Sequence, residues 1–310
     1  MPDNKIKFGA AGGTDPVAFA KKLEAMGFDS AWVGDHFLTP DGGNDGYTYL
    51  AAMGAATSKI TIGSRVMILP LRHPLMNAKM ATQVDIISGG RFIWGVGVGG
   101  DYPPEFANLN IPRNERGRRM TENLEIMTRM FNEDRVTYQG KYYQVENLSL
   151  QPKPVQRPHP PIWMGGRALA AVQRAAKYAD GWFPNVNTVD GLKERLKRIR
   201  QLANEYKRDI SHFKVGIVTS LFLAENHDIA HAAAVAAGGP MGARPPAEWA
   251  ENVDRYRAHG TPKDIIEFCE RRIEAGATHF VFNMSSRGEK LDQDLQILVK
   301  EVIPYFRDKA

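Results

Sequence analysis

Residues 89–105 read GGRFIWGVGVGGDYPPE. Within them Gly95, Gly97 and Gly100 form G-x-G-x-x-G, the spacing of a dinucleotide-binding turn. That turn needs its third glycine to open a helix directly and an acidic residue about twenty positions on, at a strand end. Here Pro103 and Pro104 follow at once, residues 101–112 read as loop, and the segment near residue 120 has helical spacing. RFIWGVG at 91–97 is also the fourth strand-like run of the chain rather than the first. The stretch therefore argues against a Rossmann domain. It reads as a strand whose glycines let a flat ligand or another backbone approach its C-terminal end.

Working outward, the same strand-then-helix rhythm recurs. IKFGA at 6–10 precedes a helix announced by Thr14-Asp15-Pro16, a polar cap with proline in the first turn. SAWVG at 30–34 precedes a helical stretch at 47–56, and ITIGSRVMIL at 60–69 precedes one at 75–87. After 91–97 comes a helix at 113–131. Strand-like runs at 161–165, 180–184, 213–223 and 279–284 alternate with helical ones at 167–178, 190–207, 262–275 and 290–306. The runs are near-continuously apolar, as strands covered on both faces should be. Eight such units predict an α/β fold of the (β/α)8 TIM-barrel type, in one domain spanning 1–310.

Two segments interrupt the rhythm. VTYQGKYYQV, within 133–160, predicts a hairpin turning near Gln139-Gly140, followed by the proline-rich connector PKPVQRPHPP. Residues 224–261 predict a helical insertion, with an Ala-rich helix at 227–237 and the loop GGPMGARPP. Insertions of this kind on barrels often cover the active site.

The bulk numbers fit an enzyme of this size. The chain has 310 residues, 43% of them hydrophobic and 24% charged, enough for a full core and against disorder. The first seven residues lack an apolar stretch, and no apolar run reaches the roughly 18 residues of a membrane span. These features predict a cytoplasmic protein without a membrane partner. Cys269 is the sole cysteine, which excludes an internal disulfide, and its helical neighbours Ile265, Ile266 and Ile273 make it a core residue. The net charge is +5. Its densest stretch, KERLKRIRQLANEYKR at 193–208, interleaves apolar residues at helical spacing, so the charges form a solvated face. No aromatic platform accompanies them, so no nucleic acid is expected. No metal is expected.

Several segments, in this order and spacing, resemble the bacterial luciferase-like superfamily. They are AWVGDHF (31–37), ITIGSRVMILPLRHPLMNAKMAT (60–82), SGGRFIWGVGVGG (88–100), NERGRRMTENLEIM (114–127), LQPKPVQRPHPPIWMGG (150–166) and GTPKDIIEF (260–268). The resemblance implies a (β/α)8 barrel using FMN or the deazaflavin F420. It implies a non-prolyl cis peptide at Arg65–Val66, with Ser64, Arg65 and Val66 bracing the cofactor ring. Gly97, Val98 and Gly99 would let the ring sit close. Gly165, Gly166, Arg167 and Ala168, at the expected start of helix 167–178, would hold the phosphate on free amides and the positive helix end.

Asp35 and His36 follow the second strand, on the face where barrel enzymes place their chemistry. They are the predicted catalytic pair: His36 exchanges a proton and Asp35 orients its ring. FMN monooxygenases of the superfamily tend to carry Glu-His-His-Phe here. Gly34-Asp35-His36-Phe37 looks instead like the deazaflavin branch, so F420 is the expected cofactor and FMN the alternative. The F420-dependent sugar-phosphate dehydrogenases place a catalytic glutamate after the fourth strand, where this chain has Gly100. Asp101 is the nearest replacement, and Glu105 is displaced further. Trp32, Trp182 and the 224–261 insertion are candidates to line a pocket for a small apolar or aromatic substrate, although core packing explains the two tryptophans equally well. The resemblance further implies a homodimer, with a separate reductase supplying reduced cofactor in the FMN case. A barrel that binds flavin without catalysis is the remaining alternative.

Overall fold

In the computed structural model, residues 5–36, 38–39, 43–185, 188–238 and 250–307 are described. The strands are β1 (Lys7–Ala11), β2 (Ser30–Val33), β3 (Thr61–Ser64), β4 (Met67–Ile68), β5 (Phe92–Gly97), β6 (Val136–Gln139), β7 (Gln144–Leu148), β8 (Ile162–Gly165), β9 (Gly181–Phe183), β10 (Lys214–Leu223), β11 (Ala258–Gly260) and β12 (His279–Met284). Among the described residues, β1, β2, β3, β5, β8, β9, β10 and β12 pair in parallel in that order. The ring shuts where β9 meets β10, Gly181 opposite Lys214 and Trp182 opposite Val215, and where β12 meets β1. This is the expected TIM barrel. Helices α1 (Pro16–Ala25), α2 (Gly46–Ala56), α3 (Pro74–Ile87), α4 (Pro103–Asn108), α5 (Arg116–Asn132), α6 (Leu169–Tyr178), α7 (Val189–Glu205), α8 (His227–Ala236), α9 (Val253–Tyr256), α10 (Pro262–Ile273) and α11 (Gly288–Ile297) follow in chain order.

Local chemistry accounts for the element ends. Asp15 caps α1, accepting from the Val17 and Ala18 amides, with Pro16 in the first turn. Thr261 and Asp264 cap α10 reciprocally. Between barrel and helices lies a continuous apolar shell that includes Phe8, Leu23, Ile62, Trp94, Phe131, Trp182 and Phe280. Cys269 is buried there, as expected. Inside the barrel a second, smaller cluster stacks Ala11, Trp32, Trp163, Phe183 and Val281. No helix among the described residues is long and apolar enough to cross a membrane.

Four expectations need correction. The strand at 60–69 is broken into β3 and β4, with a cis peptide at Arg65–Val66 between them. Residues 103–108 are helical rather than loop: Pro103 and Pro104 fall in the first turn, where a missing N–H costs nothing. The helix expected from 167 begins at Leu169, because Gly166 has φ 95° and Ala168 is extended. The 224–261 insertion is not purely helical, since β11 adds a parallel strand to the upper end of β10. The hairpin forms as β6 and β7, its turn held by Glu122, which accepts from the Lys141, Tyr142 and Tyr143 amides. Most of the loop GGPMGARPP, from 239 on, lies outside the described residues.

Candidate active site

The C-terminal strand ends surround a cavity of about 440 Å³, within the range of small-molecule sites. Its floor is the top of the barrel's inner cluster: Phe183 belongs to that cluster, Val66 and Val218 pack against it, and all three line the cavity. Of the residues expected at the site, Asp35, His36, Arg65, Val66, Gly97, Val98, Gly99, Gly165 and Gly166 line it. Ser64 lies just beneath, its hydroxyl donating to the Gly95 carbonyl at 2.8 Å. Arg167 and Ala168 are exposed beyond the lining. Trp32 and Trp182 do not line it, and of the two readings open for them core packing holds. Trp32 fills the barrel interior, and Trp182 sits in the outer shell, donating to the Gly166 carbonyl at 2.7 Å. Tyr256 and Arg257, from the insertion, line the cavity above that floor.

The histidine is oriented by a different acid from the one expected. His36 Nδ1 lies 2.9 Å from Glu105 Oε2, and Glu105 is 1% exposed. The other Glu105 oxygen accepts from the Leu38 amide at 3.3 Å. With Nδ1–H donating to Glu105, the ring keeps Nε2 for chemistry in the cavity. Asp101 lines the cavity but is exposed, and the carboxylate bonded to His36 is that of Glu105. Helix α4, which the double proline starts, delivers Glu105.

Asp35 faces away from His36. Its two oxygens accept from Arg72 at 2.6 and 2.8 Å, and from the Ile68 and Gly46 amides at 3.0 and 3.1 Å. Burial pushes the Asp35 carboxyl up, with Arg72 and the two amides pulling against that shift. Burial opposes the charge on Arg72 as well, yet Asp35, Tyr47 and Asp45 hold the guanidinium above its ordinary value. The ion pair ties the end of β2 to β4 and to the start of α2. Asp35 is thus a scaffold for the loop that carries His36.

The glycines that line the cavity also make room for neighbouring side chains. A Cβ on Gly97 would fall 2.5 Å from Val66 Cγ2, and one on Gly99 equally close to Ile68 Cγ2. Gly165 presents the same restriction, 3.0 Å from Val66 Cγ1. These positions are small so that Val66 and Ile68 can seat themselves at the strand break, which raises a flat apolar floor.

Two buried polar atoms at the cavity lack a hydrogen-bond partner, Arg65 Nε and Asn283 Oδ1. One is a donor and one an acceptor. Burial lowers the Arg65 guanidinium to about 10, so it stays charged at neutral pH. Unpaired buried groups are costly, and a planar heterocycle with both carbonyl and N–H edges would satisfy both. The apolar floor and this pair of atoms fit a flavin or deazaflavin ring.

The family model for luciferase-like monooxygenases matches residues 7–279. An FMNH2-dependent dimethylsulfone monooxygenase of Pseudomonas putida is 32% identical over 190 residues, covering 59% of this chain and 52% of that protein. An F420-dependent glucose-6-phosphate dehydrogenase of Microbacterium testaceum is 26% identical over 327 aligned positions, 96% of this chain and 95% of that one. Among solved structures, an F420-dependent secondary alcohol dehydrogenase aligns with a TM-score of 0.85 at 22% identity, covering 98% of this chain and all of that one. At that identity the likeness speaks for the fold.

Proposed function

The chain belongs to the luciferase-like monooxygenase family of oxidoreductases, and on that premise we propose that it transfers hydride between F420 and a small organic substrate in the barrel-mouth cavity. The observation that carries this reading is the His36–Glu105 pair at the cavity wall. When bound, the deazaflavin supplies two-electron hydride chemistry. The protein supplies the rest. Val66, Ile68 and Phe183 form an apolar bed that excludes water from the ring face. Arg65 Nε and Asn283 Oδ1 would hold the ring's polar edge. His36 Nε2 takes up or releases the proton that accompanies hydride movement, and Glu105 holds the ring in the tautomer that does so. Gly165 and Gly166 lead into the uncapped start of α6, whose free amides and positive end suit the phosphate, with Arg167 alongside.

A second reading, an FMN-dependent monooxygenase fed by a separate reductase, draws support from the similarity to the dimethylsulfone enzyme. The two are separated by titrating the purified protein with F420 and with FMN and following ring fluorescence. The F420 reading expects a preference for F420 of at least about tenfold, about 1.4 kcal/mol. Tighter FMN binding, with product formation coupled to oxygen consumption, would favour the monooxygenase.

A further inference from the structure

The insertion between β10 and α10 gathers four side chains that the cavity chemistry does not use. His227 and His231 lie one turn apart on α8, Asp254 is on α9, and His259 is on β11. One donor atom from each lies within 4.8 Å of all the others. His231 Nδ1 is 3.1 Å and His259 Nε2 is 3.0 Å from the same oxygen, Asp254 Oδ1. The two imidazole nitrogens are 3.4 Å apart. Bonds of about 2.0–2.1 Å in a tetrahedral shell put neighbouring donors about 3.3 Å apart. Three of the four atoms thus already stand at the spacing of one face of such a shell.

The surroundings orient the donors as metal ligands are oriented. His259 Nδ1 lies 3.2 Å from the Arg257 carbonyl. Donating its N–H there leaves the Nε2 lone pair directed at the cluster. His227 Nδ1 faces Asp264 Oδ2 at 3.9 Å, a carboxylate behind the imidazole. The His259 side chain is 5% exposed while those of His227 and Asp254 are 51% and 67% exposed, so the site has a buried base and an open entry.

We propose that His227, His231, Asp254 and His259 form a mononuclear site for a divalent transition ion of the zinc class. Three imidazoles and one carboxylate match that class, whereas calcium and magnesium select oxygen donors. With four protein ligands the site is of the closed, structural kind. It staples α8 to β11 across residues 239–249. Tyr256 and Arg257, between two of the ligands in sequence, line the main cavity, and Arg257 donates to the Ala234 and Gly238 carbonyls at the end of α8. The ion therefore braces a wall of the cavity without entering it.

The test uses the full chain without a polyhistidine tag, stripped with a chelator and titrated with Zn2+ against a chromophoric competitor, then with Co2+. The expected result is one ion per chain, a Zn2+ Kd below about 10 µM and the visible absorption of tetrahedral Co2+. His227→Gln and Asp254→Asn, at exposed positions that leave the fold intact by circular dichroism, should each weaken Zn2+ binding at least about tenfold. His212→Gln, at an exposed histidine outside the cluster, should not. A Kd above that limit, less than one ion per chain, or binding unchanged in both cluster variants would overturn the site and leave a hydrogen-bonded His–Asp network.

Discussion

His36 and Asp35 are adjacent in sequence just past the end of β2, yet their side chains bond different partners. His36 turns to the cavity and Asp35 to Arg72. Both residues line the cavity, but the partner that adjacency suggests for His36 is taken up elsewhere: Asp35 is held by Arg72 and two backbone amides. The partner in the structure lies 69 residues away, beyond any local spacing rule, on a helix whose two prolines read as loop. If Glu105 fixes the tautomer of His36, Glu105→Gln should lower kcat roughly ten- to hundredfold and His36→Asn by more. Cofactor affinity should stay within about twofold in both, since neither side chain forms the ring bed. Steady-state kinetics with parallel cofactor titrations check this. A Glu105→Gln enzyme with unchanged kcat and pH profile would show that the carboxylate only fills space beneath α4.

At the scale of elements, the barrel strands were legible because both faces of each are covered, which writes them as apolar runs. What escaped were elements made by context. The break between β3 and β4 lies inside one apolar run, and β11 is three residues long and exists only because β10 offers it an edge. The entry side of the barrel shows how such context sets chemistry. Trp32 Nε1 donates to Ser30 Oγ at 2.7 Å, and Ser30 lies 2.7 Å from His279 Nε2, linking β2 to β12 across β1. The serine hydroxyl has two lone pairs and one proton, so it serves Trp32 and either tautomer of His279, and it is burial that disfavours the charged ring. Burial pushes His279 down to about 3, against about 6.5 in the unfolded chain. Between those values the unfolded state binds the extra proton, so stability is full above about pH 6.5, falls as the pH drops and levels off below about 3. At about 1.4 kcal/mol per pH unit, acidifying from pH 6.5 to 5 removes about 2 kcal/mol through this residue. Urea unfolding of wild type and His279→Gln at pH 7 and 5 should show the wild type losing more stability by about that amount. Equal losses would mean that His279 is already protonated in the folded chain.

For the whole molecule, the question is what fills the cylinder and so sets the height of the cavity floor. Trp32 lies 4.8 Å from Phe183 and 5.6 Å from Trp163 between ring centroids. These rings fit because neighbouring strands present no side chains there. A Cβ on Gly63 would run into the Trp32 ring, and one on Gly216 would fall 2.7 Å from Trp163. Bulky rings facing glycines are what close-packed interiors require. Sequence alone leaves Trp32 open to both the pocket wall and the core, because composition cannot tell the inside of a cylinder from its mouth; strand register decides, and register depends on closure. Two variants separate the roles. Gly63→Ala should destabilise the protein by about 1–3 kcal/mol through overpacking, and Trp32→Leu in the same chain should recover part of that loss. Trp32→Leu alone should lower the unfolding midpoint while leaving cofactor affinity within about twofold, because Phe183 and Val66 still cap the column beneath the ring. Denaturant unfolding and cofactor titration of the three variants measure both quantities. Lost cofactor affinity at undiminished stability in Trp32→Leu would place that ring in the cavity wall after all, and the floor would have to be sought lower in the barrel.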